Sequence, residues 1–127
     1  MIYLAVVALG LMQQPTGFTT AGSDAQASWS FASQVREDPT TGDLLTRIAA
    51  TYLSPTSRAG GTSVSYSIWS VDIDCGGQIS WGPGTDYATD GSPMGRAPDR
   101  PSVLRRDASP GVQSVVNIIC RNGANAE

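Results

Sequence analysis

Cys75 and Cys120 are the only cysteines in the chain, and they constrain its fold more than any other feature. Cys75 sits at the bend of Ser63–Trp81, SVSYSIWSVDIDCGGQISW, and Cys120 closes the last patterned segment, Pro110–Arg121. In an oxidising compartment two cysteines permit one connectivity, Cys75–Cys120. That bond would pin a C-terminal helix to a sheet. Closing so long a loop stabilises by roughly 4 kcal/mol in the chain-entropy picture. In a reducing cytosol the same residues would be two free thiols.

The bend lies in a strand-like stretch. Val64, Tyr66 and Ile68 alternate with serines, the period of a half-buried strand. Then the phase slips, and Trp69, Val71, Ile73 and Cys75 become the apolar set. A slip of one residue would turn every later side chain to the wrong face, so a β-bulge is expected near Ile68–Trp69. Two separate strands joined by a short loop would also fit. At the bend, a two-residue Gly76-Gly77 turn would put Ile79 and Trp81 on the face of Asp72 and Asp74. A three-residue turn, Cys75-Gly76-Gly77, pairs Ile73 with Ile79 and Val71 with Trp81 and keeps the apolar face continuous. The three-residue turn is preferred, with Gly77 expected to supply a left-handed residue.

A chain of 127 residues has room for one domain. Its net charge of −3 gives no electrostatic footprint for nucleic acid. All 8 basic residues are Arg and there is no His, so the usual general base and commonest metal ligand are absent. Ile2–Met12 is an unbroken apolar run, too short for a bilayer span of ~20 residues but suited to the core of a secretory signal. Ala25-Gln26-Ala27 offers a small-x-small cleavage site. The expected organisation is a signal peptide over residues 1–27 and a single exported domain over 28–127, periplasmic or extracellular, with no transmembrane span in the mature chain. The alternative for the apolar run is a buried first strand.

Within 28–127, Ser28–Val35 places Trp29, Phe31, Ser33 and Val35 on one face of a strand. Residues 37–43 are turn chemistry. Leu44–Leu53 fits a strand or a helix, with strand preferred because flanking turns favour a meander. Ser54–Thr62 reads as a loop. Gly82–Ser109 is rich in Gly and Pro and reads as a long loop, with short strands conceivable around Asp86–Thr89 or Ser102–Arg105. So long a loop is a place to look for a binding surface. In Pro110–Arg121, Val112, Val115, Val116, Ile119 and Cys120 follow the spacing of one helical face. Ser109 suits the N-cap and Pro110 the first helical position. The fold class is therefore α+β: an antiparallel meander with a C-terminal helix on one face and one disulfide.

Motifs that carry chemistry are sparse. Gly82-Pro83-Gly84 begins like a dinucleotide fingerprint but has Tyr87 where the third Gly belongs. Asp86–Gly91 begins like a calcium loop but fails at its third position and at Ala97, its twelfth. Asp72 and Asp74 lie two apart on one strand face and could act as an acid/base pair, though a solvated sheet face explains them more simply. Arg105-Arg106 could meet an anion or simply be surface residues. Trp29, Trp69 and Trp81 fall in phase as core on one sheet face rather than as a sugar platform. No catalytic, cofactor or metal residue is assigned.

Asp72-Ile73-Asp74-Cys75, Tyr87 followed by a Gly-rich loop, and Ser109-Pro110-Gly111 leading to Cys120 resemble the small exported bacterial proteins related to surface-adhesin protein E. The resemblance spans about Arg47–Cys120. It implies an antiparallel sheet carrying a C-terminal helix tethered by a disulfide, and an adhesin-like relative. No adhesive segment is matched, so no binding residue is carried over. The reading is a non-enzymatic exported domain, needing no cofactor, that binds an unknown protein or envelope partner. A hydrolase using Asp72 and Asp74 and a purely structural envelope component are the alternatives.

Overall fold

The computed structural model describes residues 15–57 and 63–123; the apolar run Ile2–Met12 lies outside the described residues. The elements are β1 (Phe18–Ser23), β2 (Ala27–Ala32), β3 (Arg36–Glu37), β4 (Leu44–Ser57), β5 (Ser63–Ile73), β6 (Gln78–Tyr87), β7 (Pro93–Arg96), β8 (Val103–Leu104), a 3-10 turn (Arg105–Asp107) and helix α1 (Pro110–Gly123). The sheet runs β1-β2-β4-β5-β6-β7, with β3 beside β4 and β8 beside β6. Every pairing is antiparallel. None of the described helices is long and apolar enough to cross a membrane.

Segment 44–53 is strand. It pairs with β2 on one side and β5 on the other, which satisfies its backbone more fully than an isolated helix could. Cross-strand partners share a face, so Phe31, Ile48 and Trp69 form one row, with Trp29 opposite Ala50 beside it and Val71 and Ile73 further along β5. Helix α1 completes this core with Val112, Val115, Val116 and Ile119, each no more than 1% exposed. Burying four such side chains stabilises by roughly 1.5–3 kcal/mol each, which outweighs the weak helix propensity of β-branched residues. Cys120, next on the same stripe, bonds to Cys75 with Cα atoms 5.7 Å apart.

The hairpin at Cys75 has the expected register, with Val71 opposite Trp81 and Ile73 opposite Ile79. Its closure differs from the expectation. Gly77 is not among the glycines with positive φ. The Gly77 amide donates to Asp74 O (2.9 Å) and the Gly76 amide to Asp74 Oδ1 (3.1 Å). A Cβ at Gly77 would stand 3.0 Å from Asp74 Oδ2, so glycine here leaves room for the carboxylate that closes the turn.

No bulge interrupts β5, which pairs with β4 residue by residue from Tyr66 to Ile73. The register shifts lie in its neighbours instead. Between Thr51 and Thr56 of β4, extra residues oppose one step of β5, and between Trp81 and Gly84 of β6 an extra residue opposes Ser70. The two apolar sets of β5 therefore face opposite sides. Tyr66 is buried on the far side and stacks on Tyr87 at 4.9 Å, which is why both phases carry apolar residues.

Two other expectations change. Ser109 does not cap α1 through its side chain, whose Oγ has no hydrogen-bond partner among the described residues. The carboxylate of Asp24, from the β1–β2 turn, lies near the start of α1 instead, where the Gly111 amide helps to lower its pKa. The 82–109 segment is also more ordered than its Gly and Pro content suggests. It holds the end of β6, all of β7 and β8, and a 3-10 turn. Pro83 lies in the register shift of β6, where a missing amide is tolerated. At the other end of the chain, residues 18–23 form an edge strand on β2, and Ala27 opens β2 with no exposed surface. Glycine permits close packing here: a Cβ at Gly22 would stand 2.8 Å from Ser114 of α1.

Candidate functional site

Three strands of the sheet, β2 and, beyond β4, the neighbours β5 and β6, each place a tryptophan on the helix-bearing face. Trp29 and Trp69 lie 6.5 Å apart and close to parallel, and Trp81 meets Trp69 edge-on at 5.6 Å. Their rings are held by their surroundings. Trp29 Nε1 donates to Asp24 Oδ2 (2.8 Å), and Trp69 Nε1 donates to the Pro98 carbonyl (3.0 Å). A side chain at Gly111 would run into the Trp29 indole, and one at Gly84 into that of Trp69. Glycine at both places lets helix and strand approach the rings.

The segment after β7 crosses this face and delivers Arg100. Its guanidinium lies 5.3 Å from the Trp29 ring centroid, 5.2 Å from Trp69 and 4.5 Å from Trp81. Contacts of this kind stabilise by about 0.5–2 kcal/mol, more as water is excluded. Burial works against the charged form and lowers the Arg100 pKa, while Tyr52 and Asp24 oppose that shift. Arg100 Nε is buried and makes no hydrogen bond. The nearby carboxylates are otherwise engaged. Asp99 pairs with Arg96 at 3.0 Å, and Asp24 accepts from the amides of Gln26 (3.0 Å) and Ala27 (3.2 Å) as well as from Trp29.

Arg100 forms one wall of a cleft of about 620 Å³. The register shift in β4 supplies another wall, turning Tyr52 and Leu53 toward it, and the β1–β2 turn supplies Gln26. Leu53 is 53% exposed, although large apolar side chains are otherwise mostly covered. Beneath the cleft, Ser67 Oγ donates to the buried Asp86 carboxylate (2.6 Å). Because that uses the only Ser67 hydroxyl hydrogen, Tyr52 is the donor in its 2.9 Å contact with Ser67. A relay Tyr52–Ser67–Asp86 thus fixes the tyrosine at the cleft wall.

The residues singled out in the sequence fare differently. Asp72 lies on the opposite face, in a shallower groove of about 580 Å³ with Arg36 and Arg47. Its partner is Asp43 rather than Asp74. The side-chain hydrogen bond with Asp43, some burial, and repulsion from Asp43, Asp38 and Asp74 push its pKa up to about 6. Asp74 is occupied in closing the hairpin turn. Of the calcium-like stretch, Asp86 is buried in β6 while Asp90 bonds Ser92 in the β6–β7 turn, so the two do not converge. Arg105 is a clamp: Nη1 donates to Cys75 O (2.6 Å) and Nη2 to Asn117 Oδ1 (2.9 Å). Arg100 was missed. The only local signal for it is its place between Pro98 and Pro101, which stiffens the strap that carries it.

The chain matches no protein-family model and no curated protein sequence. It is similar in structure to protein E of Haemophilus influenzae, with a TM-score of 0.62 and 10% sequence identity over 91% of this chain and 92% of that one. The likeness is one of fold: an antiparallel sheet with a C-terminal helix, as the sequence resemblance implied.

Proposed function

We propose that this chain is an exported, non-enzymatic domain that binds a partner in or on the cell envelope. The observation that carries the reading is the Cys75–Cys120 bond at the join of helix and hairpin. Such a bond persists in an oxidising compartment and is rare in a reducing one. The fold shared with protein E agrees with a surface role, and the open cleft around Arg100 gives the domain a recessed site. If a leader is removed on export, we place the cut before Phe18. Cutting after Ala27 would strip β1 from the sheet edge and remove Asp24, which anchors the Trp29 indole against the start of α1.

The intact mass of the mature protein tests the export part. It should show loss of two hydrogens and an N-terminus upstream of Phe18; a full-length, reduced chain would overturn it. Retention of an envelope component by the immobilised protein tests the binding part, and a protein that stays unbound to envelope extracts would overturn that.

A further inference from the structure

We propose that the cleft around Arg100 receives a carboxylate from an acidic, extended polypeptide segment of the partner. The inference rests on the binding reading above and names the chemistry of its site. Three indoles pack around the guanidinium of Arg100. Attraction of a cation to the indole rings uses none of its N–H groups as hydrogen-bond donors. Nε is buried, so the terminal Nη groups are the donors that a ligand in the cleft would meet. No hydrogen bond or ion pair of Arg100 occurs among the described residues, and no further partner stands behind it. Its neighbours Asp99 and Asp24 already hold other donors. A cation fixed in a concave, aromatic-walled site with its donors unspent fits a carboxylate, which takes two parallel N–H bonds from a guanidinium.

The surroundings favour a polypeptide over a small acid. Exposed Leu53 and the indoles offer apolar contact beside the charge, so the fitting segment alternates carboxylate and apolar side chains. The cleft is about 620 Å³, larger than a single small carboxylate requires.

The chain has 3 tryptophans and all of them surround Arg100, so tryptophan fluorescence reports on this site alone. The oxidised protein is titrated with an acetylated, amidated hexapeptide of alternating leucine and glutamate, with the same peptide carrying glutamine for glutamate, and with free glutarate. A saturable change is expected with the acidic peptide, roughly tenfold or more weaker with the glutamine peptide and weakened by added salt. Arg100→Met should abolish it, and Arg100→Lys, which keeps the charge but not the fork, should weaken it. Circular dichroism checks that each variant is folded, and the lysine variant serves if the methionine variant is not. Equal binding of the glutamine peptide, undiminished binding by the folded variants, or no response to the acidic peptide would overturn the proposal. Glutarate binding as tightly as the peptide would also overturn it, in favour of a small-acid site. Envelope extracts separate the two readings. If Arg100→Met retains the same component as the native protein, the cleft proposal fails and the binding reading stands. If the native protein retains nothing, the binding reading itself fails.

Discussion

Two arginines five positions apart serve the two ends of one sheet face in opposite ways. Arg105 lies at the end closed by Cys75–Cys120, and its side chain is spent on the hairpin carbonyl of Cys75 and on Asn117 of the helix. Arg100 lies over the three tryptophans and spends none of its donors. The closed end therefore supports the fold, whereas the open end leaves bonding capacity for something outside it. A fully bonded cation is structural by its contacts alone; a stacked but unbonded one is paid for by packing and remains available.

The largest way to test this difference is at the closed end. Replacing both cysteines by alanine should lower stability by roughly 4 kcal/mol in the chain-entropy picture, measured by urea unfolding. A loss no larger than that of the cleft variants below would erase the contrast. Next comes Asp24→Ala, which removes two turn bonds, the anchor of the Trp29 indole and a carboxylate near the start of α1. A cost of about 2 kcal/mol is expected, with a shift in the tryptophan emission maximum that the cysteine variant, folded under native conditions, should not share.

The direct comparison is between Arg105→Met and Arg100→Met. The first should cost about 1.5–3 kcal/mol, as for hydrogen bonds to a charged group. The second should cost about 1 kcal/mol or less, since it exchanges stacking of a cation for packing of an apolar chain. Thermal unfolding that ranks them the other way would make Arg100 the structural residue.

The smallest expected effect is in the pH dependence, and it has opposite signs at two carboxylates. Asp72 has its pKa raised to about 6, chiefly by its hydrogen bond with Asp43. The stability it contributes is complete below the unfolded value near ~4 and is lost as pH rises through about 6. Asp24 is the reverse. Partial burial raises its pKa, but bonds from Gln26, Ala27, Trp29 and Gly111 outweigh this and lower it. Its stabilisation is present above the ordinary carboxylate range and is lost as pH falls through its depressed pKa. Stability measured from pH 4 to 7 should decline less in Asp72→Asn than in the native protein. Identical slopes would mean that Asp72 and Asp43 do not share a proton in solution.

What was legible in the sequence was mostly local. The alternation of β5 and the hairpin beyond it gave the pairing of Ile73 with Ile79, because period and turn length leave few registers. The spacing of Val112, Val115, Val116 and Ile119 gave the buried face of α1 for the same kind of reason. The predicted bulge in β5 failed because a phase change in one strand has two explanations, a bulge or burial on both faces. Pairing with β4 decides between them. Ser109 failed as a cap because its Oγ is buried without a partner; the carboxylate near the first turn comes from Asp24, distant in sequence. Residues 18–23 carry no apolar alternation of their own, and only their pairing with β2 makes them an edge strand.

The sequence by itself determined one strand pairing, one helix face and, once export is assumed, one disulfide. Each follows from periodicity or from having only two thiols to join. Only the tertiary structure decided which arginine is bonded and which is open. That outcome depends on where a proline-flanked strap lands on a sheet face assembled from β2, β5 and β6, and on which carboxylates other donors have already taken. Hydrogen-bond capacity is shared among groups far apart in the chain, so its remainder can be counted only after folding has brought them together.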